Sequence, residues 1–185
     1  MSNENIKLPE LFFLKEKLIG KQLVEKSQTI ATTSDIYSDQ EALKDIDVSQ
    51  KAYDVSCYLP VEEGTTGGLY FGITKIYPGK VGNEYFMTKG HFHINENSSE
   101  YYWGIEGEGV LILMDENRNV TAEKVVPGSL HYIPGGIAHR MANIGNEVFS
   151  FAACWPADAG HNYEEIANRG FAKRLMGING VPTLI

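Results

Sequence analysis

The sequence predicts an all-β domain with peripheral helices, closed as an antiparallel barrel or jelly roll. From Tyr53 onward the chain runs in short segments rich in Val, Ile, Tyr and Phe, the residues that fit a pleated, half-buried surface. Gly, Pro or Asn punctuates these segments at short intervals, as expected of many short strands joined by turns. Helix signals are confined to a stretch after Ser38 and another after Asn162. Many short strands with turn signals between them point to a barrel or jelly roll.

Taken in order, residues 1–50 form an N-terminal extension of mixed character. Ser38 with Glu41 three positions on has the spacing of a capping box at the head of DQEALKDI, which predicts a short helix there. The β core covers residues 51–156, with strands expected at VSCYL, GLYFGITKIY, EYFMTKGHFHI, SEYYWGIEG, GVLILM, VTAEKVV, SLHYIP and EVFSFAACW. Residues 157–185 hold a C-terminal helix and tail. Asn162 precedes YEEIANRG, Glu165 lies three positions on, and Arg169 and Gly170 close the stretch. That reads as a capped helix, expected to pack outside the barrel rather than line it. No internal repeat and no Pro, Gly or Ser-rich linker divides the chain, so residues 1–185 are expected to form a single domain.

Composition narrows the function classes. With 43% hydrophobic residues the chain can bury a sizeable core. It carries 24 acidic and 16 basic side chains, a formal net charge of -8, and no Lys or Arg run. Nucleic acid is therefore not an expected partner. The apolar runs fall far short of the ~20 residues that span a bilayer, so no membrane partner is expected. Cys57 and Cys154 form no CxxC pair, which argues against a disulfide framework and for a reducing cytoplasm. The opening MSNENIKLPELFF lacks a basic n-region and a long apolar core, so no signal peptide is expected.

The chemistry concentrates in three segments. In His91-Phe92-His93 the two imidazoles lie two residues apart, so on an extended chain they share one face. Glu100 follows after the polar stretch Asn95 to Ser99, a loop in which strand phase can reset and return a carboxylate to that interior. His139 follows Gly128, Pro134 and Gly136. Pro134 ends a strand and Gly136 permits a tight turn, so His139 re-enters on the next strand. Three imidazoles and one carboxylate suit a borderline divalent ion and leave positions open, whereas closed structural zinc sites more often use thiolates. A lone histidine is more often a hydrogen-bonded structural residue. The combination of HxH, a spaced carboxylate and a distal Gly-Pro-Gly-His decides for metal.

These residues resemble the two cupin motifs. The second, G(x5)PxG(x2)H(x3)N, is matched by Gly128, Pro134, Gly136, His139 and Asn143. The first, G(x5)HxH(x3–4)E(x6)G, is matched by His91, His93, Glu100 and Gly107, with Tyr85 at the leading glycine and a loop of six residues before Glu100. The resemblance implies a cupin double-stranded β-helix. Two longer segments, YPGKVGNEYFMTKGHFH and WPADAGHNYEEIANRGF, resemble the cupin-type glucose-6-phosphate isomerases of archaea and some bacteria, a similarity that runs from Tyr53 to Phe171.

Membership of that family implies interconversion of glucose 6-phosphate and fructose 6-phosphate. It also implies one divalent metal ion per subunit (iron first, with manganese, nickel or zinc as alternatives) and a homodimer. Carried over, His91, His93, Glu100 and His139 are the metal ligands. Tyr53, Thr74, Thr88 and Gly90 hold the phosphate, and Tyr102 and His161 line the sugar site. Trp155 stands where family members can carry a tyrosine, so an indole N–H replaces a hydroxyl. Glu100 is the candidate for moving a proton between C1 and C2, and His161 for opening the sugar ring. His131 reads as structural. Tyr101, Trp103, Phe149 and Phe151 read as core or dimer-interface residues, and Cys154 as a small hydrophobe. A cupin dioxygenase with the same ligand set and a non-catalytic sugar-binding cupin are the competing classes.

Overall fold

Period-two alternation of β-branched and aromatic residues makes strands wherever a turn lets the chain reverse. In the computed structural model, which describes residues 8–185, the chain opens with β1 (Leu11–Leu14), β2 (Lys17–Gly20) and β3 (Leu23–Thr29). Two 3-10 turns, Ala31–Ile36 and Ala42–Lys44, lead into β4 (Lys51–Tyr58), β5 (Leu69–Ile76), β6 (Lys80–Val81) and β7 (Glu84–Tyr85). Then follow β8 (Glu100–Glu106), β9 (Gly109–Met114), β10 (Val120–Val125), β11 (Leu130–Ile133), β12 (Ala138–Asn143) and β13 (Phe149–Pro156). Helix α1 (Glu164–Arg169) and the hairpin β14 (Leu175–Ile178) and β15 (Val181–Leu184) complete the chain. The reading that no signal peptide is present rests partly on residues 1–7, which lie outside the described residues.

A six-stranded sheet in the order β11-β8-β13-β5-β4-β3 accompanies a three-stranded sheet, β10-β9-β12, and a four-stranded sheet, β15-β14-β7-β6. Every strand pair is antiparallel. One apolar core draws on all three: Phe149, Phe151 and Ile76 from the first, Leu111, Ile112 and Met141 from the second, Val81 and Leu175 from the third. This is the jelly roll of the cupin fold. The buried Asn143 side chain stitches two sheets together, donating to the Ile76 and Glu147 carbonyls at 2.9 and 2.8 Å while accepting the Gly145 N–H at 2.8 Å.

Four expectations change. EYFMTKGHFHI is not one strand: only β7 is regular, and beyond it the backbone meets its neighbours at isolated bridges, Met87 with Ala142, His91 with His139 and Phe92 with Asn162. Between the first two bridges three residues (Thr88, Lys89, Gly90) oppose two (Arg140, Met141), which is a one-residue bulge with Gly90 at φ +77°. The capping box at Ser38 does not form. Asp39 Oδ1 accepts the Ala42 N–H at 2.9 Å instead, while the Ser38 N–H and hydroxyl both donate to the buried Glu84 carboxylate at 2.9 and 3.0 Å. A carboxylate inside the fold needs donors, and that demand overrides a local cap.

The third change is in the N-terminal extension, which carries three strands, with β3 paired to β4 at the edge of the largest sheet. The polar run Glu25-Lys26-Ser27-Gln28 of this exposed edge hides the apolar alternation that marks a buried strand. The fourth concerns α1. It begins at Glu164, two residues after the expected cap, with Asn162 Oδ1 accepting the Glu164 N–H at 3.1 Å. Its Ile166 and Ala167 line the central cavity, so it closes a wall rather than packing wholly outside.

Candidate active site and metal centre

The bridge between His91 and His139 joins the HxH segment to the start of β12, with backbone bonds of 3.3 and 3.1 Å in the two directions. That pairing brings two imidazoles from distant parts of the chain to ring centroids 4.5 Å apart. His93, two residues on, has its ring 5.3 Å from that of His139. Glu100 opens β8 after the loop, and its carboxylate lies 2.5 Å from His139 Nε2 and 3.4 Å from His93 Nε2. One donor atom from each of the four residues falls within 4.8 Å of the other three, close to the ~4 Å that separates opposite ligands of one ion bound at ~2.1 Å.

The hydrogen bonding prepares these atoms for a cation. His93 Nδ1 lies 2.9 Å from the Ser98 carbonyl and His139 Nδ1 lies 3.0 Å from the Ile137 carbonyl. A carbonyl only accepts, so both Nδ1 atoms carry the hydrogen and both Nε2 atoms present a lone pair. The Nε2 atoms of His91, His93 and His139 and Glu100 Oε1 are all buried without a hydrogen-bond partner. Four convergent, desolvated acceptors are costly unless a positive ion sits among them. The set could hold a divalent metal, and its chemistry, three imidazoles and a carboxylate, suits iron, manganese, nickel or zinc.

Electrostatics agrees with this. Burial by itself would push the Glu100 carboxyl up, but the positive charge that His139 and His93 carry when protonated, a place the ion would take over, outweighs it and holds the carboxyl at about 2. Burial, then the neighbouring His139, His161 and His93, keeps His91 well below the ordinary imidazole range. His161 is lowered mainly by burial and then by His93. Its ring centroid lies 4.4 Å from that of His91, so it stands beside the four and outside them.

A cavity of about 990 Å³ opens over this centre. Its lining includes every residue expected to meet substrate, Tyr53, Thr74, Thr88, Gly90, Tyr102 and Trp155, together with His161. The bulge explains how Thr88 and His91, three residues apart, both reach it: the extra residue resets the phase that a regular strand would enforce. Thr88 Oγ1 accepts the Met141 N–H at 3.1 Å, which leaves its own hydrogen free to donate. Burial pushes the Tyr53 hydroxyl up to about 12 and Tyr102 well above its ordinary value, so both remain donors at neutral pH. Trp155 lies edge-on to Tyr70, ring centroids 5.8 Å apart, and a Cβ at Gly72 would stand 3.1 Å from the indole.

Tyr163, Lys89 and Lys26 are among the cavity residues that the sequence does not single out. Tyr163 stacks on His161 with rings 5.9 Å apart and nearly parallel at 8°. Its place in PADAGHNY, two residues after His161, was the available signal. Lys89 and Lys26 also line the cavity, and Lys89 lies 3.6 Å from Asp35. These two side chains bring local positive charge to an acidic protein. His131 does not line the cavity: its ring nitrogens lie 2.6 Å from Glu123 Oε2 and 2.8 Å from Ser129 Oγ, pinning a turn. Phe149 and Phe151 are core residues, whereas Tyr101 is exposed against Tyr132.

Comparison with known proteins identifies the family. The family model described as Glucose-6-phosphate isomerase (GPI) matches residues 27–182. The glucose-6-phosphate isomerase of Pyrococcus furiosus is 39% identical over 144 residues, covering 78% of this chain and 76% of that protein. That of Thermococcus kodakarensis is 37% identical over 161 residues, covering 87% of this chain and 83% of that protein. Among solved structures, the oxalate decarboxylase of Bacillus subtilis at pH 4.6 superposes with a TM-score of 0.47 and 18% identity, covering 65% of this chain and 29% of that one. The fold class is carried by the sheets themselves. With the model match spanning most of the sequence and relatives of this identity matched over most of their own length, the chain belongs to the glucose-6-phosphate isomerase family.

Proposed function

We propose that this chain interconverts glucose 6-phosphate and fructose 6-phosphate by metal-dependent aldose–ketose isomerisation. The observation that carries it is the set of four unpaired, buried donor atoms beside a cavity that Tyr53, Thr74, Thr88 and Gly90 also line. In this reading His91, His93, Glu100 and His139 hold the ion, iron first, with manganese, nickel or zinc as alternatives. When bound, it acts as a Lewis acid that stabilises negative charge developing on the sugar oxygens.

The chain's own groups do the rest. The Tyr53, Thr74 and Thr88 hydroxyls and the Gly90 N–H converge on the phosphate as neutral donors, an anion-binding concavity that needs no arginine. Tyr102 and Trp155 flank the sugar. His161, beside the centre and stacked on Tyr163, moves the proton that opens the ring. Glu100 takes the proton from one of C1 and C2 and returns it to the other, through a cis-enediol. The active species is a homodimer in the cytoplasm. Among the described residues no helix is long and apolar enough to cross a membrane.

Conversion of fructose 6-phosphate to glucose 6-phosphate is expected to stop in the presence of a chelator and to return when one of the four metals is restored. Absence of turnover with every metal would remove this reading. Run in deuterated water, the reaction is expected to place some solvent deuterium on C2 of the aldose; complete transfer of hydrogen from C1 of the ketose to C2 without exchange would count against the proton route and the role of Glu100 in it.

A further inference from the structure

Behind the Thr88–His91 segment, on the side away from the cavity, lies a charged side chain that none of the steps above uses. Arg140 follows His139 on β12, so strand alternation turns its side chain to the opposite face. It is 5% exposed and does not line the central cavity. Its Nη2 donates to the Lys89 carbonyl at 2.6 Å, its Nη1 stands 3.1 Å from Met87 Sδ, and its guanidinium lies over the Phe171 ring, 4.2 Å from the centroid. A Cβ at Gly90 would stand 3.0 Å from Arg140 Cβ and 2.8 Å from the Phe171 ring, so the bulge rests directly on this pair.

Arg140 is also under-compensated. Its Nε is buried with no hydrogen-bond partner. Among the described residues no carboxylate lies within salt-bridge distance of it. Glu84, the carboxylate whose charge acts on Arg140, is occupied by Arg174 at 2.7 Å and by Ser38. A buried cation without a counter-ion is expensive, and an anion arriving close by would offset that cost.

The link to the cavity is a single peptide unit. The Lys89 carbonyl and the Gly90 N–H belong to one trans peptide, so they point in opposite directions. With the carbonyl held on Arg140, the N–H is turned away from Arg140, toward the cavity that Gly90 lines. Gly90, at φ +77° and without a Cβ, offers little resistance to a flip of this peptide. Among the described residues the Gly90 N–H has no hydrogen-bond partner, so no internal bond fixes it from the cavity side. A cation on the carbonyl also polarises the N–H at the other end of the unit.

We propose that Arg140 is a positioning residue: it locks the Lys89–Gly90 peptide so that the Gly90 N–H is presented to the substrate's phosphate from the far side of the bulge. This rests on the reading that Gly90 meets that phosphate. The test measures binding of inorganic phosphate to the zinc-loaded protein by calorimetry, with KM and kcat for fructose 6-phosphate, in wild type, Arg140→Met and Arg140→Lys. Arg140→Met is expected to weaken phosphate binding and raise KM about tenfold, with kcat within about threefold and zinc content unchanged. Arg140→Lys, which keeps a cationic donor, is expected to recover part of the loss. A folded, zinc-loaded Arg140→Met that binds phosphate like wild type overturns the proposal, as does a fall in kcat with KM unchanged. Should Arg140→Met fail to fold, the wild type decides: its Gly90 amide proton resonance is expected to move downfield on adding phosphate, and an unmoved resonance with phosphate bound overturns the role. A wild type that is active with fructose 6-phosphate but indifferent to Arg140→Met sinks this inference alone. One that neither binds phosphate nor turns over removes the functional reading beneath it as well.

Discussion

At His93 and His139 the nitrogen facing away from the centre matters as much as the one facing it. Each donates to a backbone carbonyl, and this fixes both the tautomer and the ring plane before any ion arrives. Glu100 completes the set with charge, since its neighbours keep it ionised at about 2. Glu100→Gln keeps the shape and removes the charge, and its amide can turn an N–H toward the imidazole lone pairs. Turnover is expected to fall by roughly 10²-fold or more, and bound metal, measured by plasma mass spectrometry, to fall with it. A variant with full metal and full rate would mean that Glu100 neither holds the ion nor moves the proton. The spacing of these residues was legible in the sequence because ligand chemistry demands particular side chains. Tyr163 and Lys89 were not, because an aromatic beside a helix and a surface lysine have ordinary structural uses.

Among the elements, β12 carries the most. Its first residues supply His139 to one face and Arg140 to the other, and its last, Asn143, ties it to the end of β5. Asn143 satisfies two carbonyls and one N–H inside the fold. Asn143→Ala would strand all three, at a cost of about 2–4 kcal/mol in unfolding free energy, read by urea denaturation at fixed metal concentration. Asn143 lines no part of the cavity, so the folded fraction is expected to keep its metal. A variant as stable as wild type would show that water replaces the amide. The motif pointed to Asn143, but the bulge at Thr88–Gly90 was out of reach of pattern reading. TKGHFH reads as a continuous strand until β12 sets its register, and that register is a property of two segments together.

For the molecule as a whole, the six-stranded sheet, the start of β12 and one short helix wall a cavity beside four acceptors with nothing to accept. Folding without the ion leaves those groups desolvated and unpaired, so the loaded protein should be the more stable one. At a free metal concentration near a thousand times the dissociation constant, the added stability is about 4 kcal/mol. Differential scanning calorimetry of chelated and reloaded protein is expected to show this as a higher melting temperature on reloading, and equal melting temperatures would argue that the four groups hold no ion. The sequence by itself determined the strand-rich class, the ligand types and the family, because each is written in residue identity at short spacing. Only the tertiary structure decided that β3 extends the main sheet, that α1 closes the cavity wall, and that a one-residue bulge resting on Arg140 turns Thr88 and His91 into one cavity. The physical reason is that strand register and buried charge depend on partners far apart in the chain, and no local pattern records which partner a segment will meet.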